Sequence, residues 1–300
     1  MNRVFGLFYF FQKLVITKAK AAVIQNVSDL YTTNIPPCLK VADLGCSSGP
    51  NTLLVITEIT EALDKRCHQL NRDTPEFQVF LNDLLNNDFN IIFKTLPAFY
   101  EKPKEEKGEK FGYCSISGLP GSFYERLFPS RSSFPEATVN GYQFTVDYGK
   151  VPSMAESNKG NIYFVRMSSP SVHKSYLEQF QKDFSLFLSL RSKKIISGGQ
   201  MVLTMLGRRS EDPFGNACYI WEYLSKSLND LVSEGLTEEA KVDSFNLPFY
   251  MPSSEELDVI VSADGSFYLD ELEFFYINWD GCDDDATKSS CLIDLQVGRK

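Results

Sequence analysis

The string DLGCSSGPN, residues 43–51, is the part of the sequence best suited to chemistry on a ligand, and it follows the short apolar run LKVADL at 39–44. Gly45 permits a tight turn close to a bound group, and Ser47, Ser48 and Gly49 would present backbone N–H groups at the start of a helix. The pattern D-x-G-x-x-x-G is not the G-x-G-x-x-G of dinucleotide folds. Nor is it a P-loop, because no Lys followed by Ser or Thr comes after the glycines. A second acid, Asp83, ends FQVFLND about 38 residues after Gly45, whereas the ribose-binding acid of a dinucleotide fold falls ~20 residues on. A nicotinamide cofactor is therefore disfavoured. A glycine turn after one strand and an acid closing the next suit a nucleoside whose ribose hydroxyls need a carboxylate acceptor, S-adenosylmethionine among them. The plain alternative, that Asp43 and Asp83 only cap helices, stays open at this point.

Other chemistries find little support. The only histidines are His68 and His173, neither in an H-E-x-x-H or similar arrangement, which argues against His-based metal hydrolysis and a Ser-His-Asp relay. Both lie in polar helical contexts and read as solvated surface residues. The seven cysteines, at 38, 46, 67, 114, 218, 282 and 291, are odd in number and lack C-x-x-C spacing. They read as reduced thiols in a reducing compartment rather than a disulfide framework or zinc knuckle. Lys plus Arg gives 30 and Asp plus Glu 39, a net charge of −9, so a phosphate backbone would be repelled and nucleic acid is a poor partner.

The elements that must position the turn follow from the hydrophobic pattern. LKVADL and FQVFLND read as strands, with the helix-compatible TLLVITEITEALDKR between them. KGNIYFVRM at 159–167 and GGQMVLTML at 198–206 read as further strands around the helical KSYLEQFQKDFSLFLSLRSKK. Strands alternating with helices predict an α/β fold, a mostly parallel sheet with helices on both faces and ligands outside the strand carboxyl ends. Two segments, about 128–158 and 207–261, break the rhythm and read as cap insertions on one domain spanning 1–300. Within the second, two helices flank DSFN. FYLDELEFFYINWD, after Gly265, reads as a late strand pair. The N-terminal apolar run Val4–Phe11, behind Arg3, is too short to span a bilayer, and no small-x-small cleavage site follows directly. It reads as an altered gene start rather than a secretion signal, and the expected location is cytoplasmic, off the membrane.

Six longer strings come in order: KVADLGCSSGPN, FLNDLLNNDFN, GLPGSFYERLFP, NKGNIY, YIWEYL with LNDLVSEGL, and EEAKVDSFNLPFYMPS. Together they resemble the plant SABATH carboxyl methyltransferases, from about residue 12 to the C-terminus. That family includes salicylate, benzoate and jasmonate carboxyl methyltransferases and purine N-methyltransferases of the caffeine pathway. The resemblance implies a Rossmann-like S-adenosylmethionine-dependent methyltransferase sheet with a helical cap. It implies that Cys46 and Asn51 contact the cofactor, that Asp83 and Leu84 lie at the ribose and adenine, and that Ser122 and Phe123 close over the adenine. For the acceptor it implies Gln12, ahead of the first helix, with Ile220 and Trp221 lining an aromatic pocket. Some members hold Mg2+, which here would fall to Asn158, Asp243, the Phe245 carbonyl and Asn246; these residues also read well as plain turn formers. Homodimers are common in the family.

Three departures accompany the matches. MNRVFGLFYFF stands where the family has an S-Y-A-x-N-S run, SRSSFPEATVNGYQFTVDYGK replaces H-S-S-Y-S-L-H-W-L-S, and the sequence stops at Lys300, where the family continues. The last predicts loss of some pocket wall and of a sheet strand. Phe134, Tyr142 and Phe144 are candidates to fill part of the changed pocket. The expected function is methyl transfer to the carboxylate of a small acid, giving a methyl ester. The alternatives are purine N-methylation and a catalytically silent, cofactor-binding member.

Overall fold

A computed structural model describes residues 2–30, 37–49, 51–107, 113–128, 136–139, 158–214, 218–278 and 289–300. Seven strands form one sheet in the order β3-β2-β1-β4-β5-β7-β6. They are β1 Cys38–Leu44, β2 Glu76–Asp83, β3 Cys114–Pro120, β4 Glu136–Val139, β5 Gln200–Leu206, β6 Phe267–Asn278 and β7 Ser289–Arg299. β1 through β5 are parallel, and β7 runs antiparallel to both β5 and β6. The chain builds outward from β1 to β2 and β3 on one side and then to β4 and β5 on the other, so the crevice where such sheets take ligands opens at the carboxyl ends of β1 and β4.

Both faces are covered. On one lie α1 Asn2–Leu30, α2 Leu54–Gln69 and α3 Phe89–Lys107, closing a core with Leu39, Val41, Phe77, Val79, Leu81 and Val202. The described part of α1 buries Val15, Ile16, Ala19, Ala22, Val23 and Val27, a stripe at the 3.6-residue period. The other face carries α4 Pro170–Ser192 and α7 Ser254–Asp264, over Met201, Leu203, Ile293, Leu295 and Val297. α4 presents Phe180, Phe184 and Phe187 as a stacked rail, with centroids 5.6 and 6.2 Å apart. Ser253 and Glu256 form a reciprocal capping box on α7, and Gly265 ends it left-handed at φ 70°. Between α4 and α7 in sequence come α5 Tyr219–Ser233 and α6 Glu239–Ser244, so the predicted insertion at 207–261 is helical. Among the described residues no helix is long and apolar enough to cross a membrane.

The sequence reading needs three corrections. KGNIYFVRM is not a strand: Gly160 turns at φ +75°, and the segment's polar groups are met by side chains rather than a ladder. Asn158 Nδ2 donates to the carbonyls of Asn161 and Tyr163, while Ile162 N–H donates to Ser225 Oγ. The strand that fills the slot between β1 and β5 is Glu136–Val139, inside the stretch read as an insertion. FYLDELEFFYINWD is a single long strand rather than a pair, and its partner is β7. Phe134, Tyr142, Phe144, Cys282 and most of 128–158 lie outside the described residues.

Candidate cofactor and acceptor site

The turn after β1 is built by local hydrogen bonds that fix an unusual backbone. Gly45 sits at φ +88° and Ser47 at φ +58°, a left-handed conformation that a non-glycine residue holds only when its surroundings enforce it. The N–H groups of Gly45 and Cys46 both donate to the Asn82 carbonyl, at 2.8 and 2.9 Å. Ser47 N–H donates to Asp83 Oδ2 at 2.6 Å, and Asn87 Nδ2 donates to the Ser47 carbonyl at 3.0 Å. Thr52 Oγ1 lies within hydrogen-bond distance of the Cys46 and Gly49 carbonyls, at 3.0 and 2.9 Å. The turn is thus held in place by the end of β2 and by the start of the helix it opens.

Asp83 closes the second side. Its Oδ1 accepts the Leu84 N–H at 2.7 Å, so both carboxylate oxygens receive backbone donors while keeping lone pairs for further ones. Leu84 and Leu85 are 59% and 80% exposed, an apolar edge beside the turn. The Asp83 carbonyl accepts from Gly121 N–H at 2.9 Å, and Asn82 Nδ2 donates to the Leu119 and Gly121 carbonyls. These bonds bring Ser122 and Phe123 to the same end of the sheet. Ser122 Oγ accepts from Tyr124 N–H, and Phe123 packs edge-on against Phe187 at 5.9 Å.

A narrow recess, partly open to solvent, lies at the turn. Gln12, Asp43, Gly45, Cys46, Ser47 and Asn51 are among its lining residues. Gln12 reaches it from inside α1, not from a segment ahead of the first helix as expected. Asp43 is 3% exposed and its Oδ1 has no hydrogen-bond partner. Burial, and then the nearby Asp83 charge, raise its carboxyl well above the usual range, so the neutral acid is favoured there. Burial followed by the charges of Asp43 and Asp83 also pushes up the Cys46 thiol, which leaves it un-ionised and a poor nucleophile.

Ile220 and Trp221 are not among the recess's lining residues. They begin α5, where Trp221 packs against Tyr163 and Phe249 with centroids 6.0 and 5.7 Å away, and Ile220 is 52% exposed. His173 also differs from the sequence reading: it is half-buried, with Nε2 3.2 Å from the Tyr250 hydroxyl, and burial lowers its pKa. Sequence reasoning passed over Asn82, Thr52 and Asn87 as parts of the site. FLND placed Asn82 next to Asp83, but its side-chain role depends on β3, which only the folded sheet brings near.

Of the set proposed for Mg2+, which included the Phe245 carbonyl and Asn246, the two members Asn158 and Asp243 are engaged elsewhere and do not fit it. Asn158 is buried, its Oδ1 accepts from Ser168 Oγ and its Nδ2 faces two carbonyls. Asp243 Oδ1 accepts from Gly160 N–H, and its Oδ2 lies 3.9 Å from the Lys159 ammonium. The set therefore offers one carboxylate, already occupied and beside a cation, where a hard divalent ion needs several free oxygens. Among the described residues no group of three or more His, Cys, Asp or Glu could hold a metal. Asn158 braces the 158–168 turn from within, and Asp243 fastens it to α6.

Comparison with known proteins agrees with this architecture. A family model described as SAM dependent carboxyl methyltransferase matches residues 10–297. A probable jasmonic acid carboxyl methyltransferase of Theobroma cacao is 47% identical over 277 residues, 90% of this chain and 74% of the relative. A probable caffeine synthase of Coffea canephora is 45% identical over 278 residues, 90% of this chain and 71% of the relative. The solved structure of loganic acid methyltransferase with SAH superposes at TM-score 0.79 and 30% identity, covering 97% of this chain and 95% of that one. The chain belongs to the family of S-adenosylmethionine-dependent carboxyl methyltransferases.

Proposed function

We propose that this protein transfers the methyl group of S-adenosylmethionine to the carboxylate of a small organic acid of the salicylate, benzoate or jasmonate type, giving the methyl ester. The observation that carries the proposal is the cradle itself. A strained turn at Ser47 is locked by Asp83 at the strand ends, over a recess whose Asp43 and Cys46 both favour their neutral forms. Cys46 and Asn51 would hold the methionine part of the cofactor, Asp83 and Leu84 the ribose and adenine, and Ser122 and Phe123 would cover the adenine. When bound, the cofactor supplies a methyl group already activated on a sulfonium.

This chain's residues then need only align and enclose the reactants. A carboxylate is ionised at neutral pH and requires no general base, so positioning and exclusion of water supply the rate. Gln12, already in the recess, would donate its amide to one acceptor oxygen, and Trp221 would give a flat wall for an acceptor ring. The working unit is one methyltransferase domain with a helical cap in 207–261. Free thiols at all six described cysteines favour a reducing compartment, the cytoplasm.

Incubation with methyl-labelled cofactor and a panel of salicylate, benzoate, jasmonate and xanthosine tests the proposal. Labelled ester from at least one acid supports it. Transfer only to xanthosine would replace it with purine N-methylation, the reading favoured by the 45% identity to a probable caffeine synthase. Cofactor binding without transfer to any compound would make this a silent member.

A further inference from the structure

We infer that Arg191 is a positioning residue for the cofactor, fixing from α4 the turn that carries Ser122 and Phe123. The inference rests on reading that turn as the cover of the adenine. Arg191 is 2% exposed, and its Nη2 donates to the Phe123 carbonyl at 3.3 Å and the Glu125 carbonyl at 3.5 Å. Its guanidinium carbon lies 5.5 Å from the centroid of the Phe187 ring, the ring that Phe123 meets at 89°. One side chain therefore grips the turn's backbone and buttresses the aromatic surface against which Phe123 rests.

The two ends of the turn are held by different parts of the fold. Its start is tied to β2, through Gly121 N–H on the Asp83 carbonyl and Asn82 on the Gly121 carbonyl. Within it, Glu125 N–H donates to the Ser122 carbonyl and Tyr124 N–H to Ser122 Oγ. Beyond Phe123 the ties to α4 come from Arg191. An arginine suits this place because its Nη2 carries two N–H donors and meets both carbonyls, because its planar face can lie against the Phe187 ring, and because it lies in the last turn of α4, where the helix dipole favours a cation. An apolar side chain of similar volume would remove the donor that both carbonyls share and loosen the turn at Phe123.

Titration calorimetry with S-adenosylhomocysteine on Phe123→Ala, Arg191→Met and Arg191→Lys tests this without turnover. We expect Phe123→Ala and Arg191→Met to weaken binding about tenfold and Arg191→Lys, whose shorter side chain lacks the guanidinium's reach and its planar face toward Phe187, about threefold. Hydrogen exchange at the 122–125 amides should speed up in both Arg191 variants, while the KM for the acid stays within twofold. Wild-type binding by Phe123→Ala would remove the reading of the turn as an adenine cover. Weakened binding by Phe123→Ala with wild-type binding and exchange in the Arg191 variants would overturn the role of Arg191 alone. Should Arg191→Met not fold, Arg191→Lys decides by the same two readouts.

Discussion

Asp83→Ala is the most informative single change, because this carboxylate does two jobs in one place. It accepts Ser47 N–H at 2.6 Å and Leu84 N–H at 2.7 Å, and the first bond holds Ser47 at φ +58°. A hydrogen bond to a charged group contributes ~1.5–3 kcal/mol, and a half-exposed site belongs at the low end, so losing both costs about 3 kcal/mol. In a chain of this size that lowers the melting temperature by roughly 6 °C, at ~2 °C per kcal/mol. The turn would also relax out of its strained conformation, so the cofactor must re-form it as well as bind without a ribose acceptor. If half of the 3 kcal/mol falls on binding, affinity drops about tenfold, and the lost ribose contact brings the total toward a hundredfold. Calorimetry with S-adenosylhomocysteine and thermal melts measure both effects. Asp83→Asn keeps one acceptor oxygen and should show about half the thermal loss. A variant Asp83→Ala that melts like wild type and binds S-adenosylhomocysteine within twofold would refute the account of the turn.

Buried Asp294, which accepts from Thr204 Oγ1 at 2.6 Å, has its carboxyl pushed up by burial to about 7 from an ordinary 3.8. The folded state therefore holds a proton that the unfolded chain releases: stability is full below pH ~4, falls by up to ~1.4 kcal/mol per pH unit as pH rises toward 7, and levels off above. Urea midpoints between pH 5 and 8 should show that fall, and Asp294→Asn should flatten it; an unchanged slope in the variant would assign the effect elsewhere. A Cβ at Gly207 would run into the Ile293 side chain and sit 3.0 Å from the Pro252 carbonyl, so Gly207→Ala should cost ~1–3 kcal/mol by denaturant unfolding. A wild-type midpoint would show that β7 gives way easily there. Millimolar Mg2+ followed by EDTA should leave the melting temperature and the affinity for S-adenosylhomocysteine unchanged, since Asp243 is engaged by Gly160 N–H and Lys159. A rise of several degrees with Mg2+ would restore the metal site.

The sequence made the cofactor side of this fold readable because its signals are local. A short strand, a glycine turn and a helix lie within thirty residues of one another, and the family strings fix Asp83 and the PGSF turn beside them. The misreadings came where local pattern and tertiary context disagree. The apolar run Ile162–Val165 has the composition of a strand, yet Asn158 and Ser225 satisfy its backbone and leave it a buried coil. The four residues 136–139 carry no strand signature and still fill the gap between β1 and β5, because a parallel sheet supplies neighbours on both sides. Asn158 and Asp243 have the chemistry of metal ligands, but their partners, Ser168, Gly160 and Lys159, become evident only in the folded chain. Arg191 was illegible for a similar reason: nothing in SLRSKK points to a turn nearly seventy residues earlier.

The most direct test of the central claim is mass spectrometry of the products formed from cofactor bearing a trideuteriomethyl group, with salicylate, benzoate or jasmonate as acceptor. The account predicts an ester that retains all three deuteriums and returns the starting acid on mild base hydrolysis, with S-adenosylhomocysteine formed in equal amount. S-adenosylhomocysteine accumulating without ester, or the trideuteriomethyl group appearing on a purine nitrogen and on none of the acids, would contradict it.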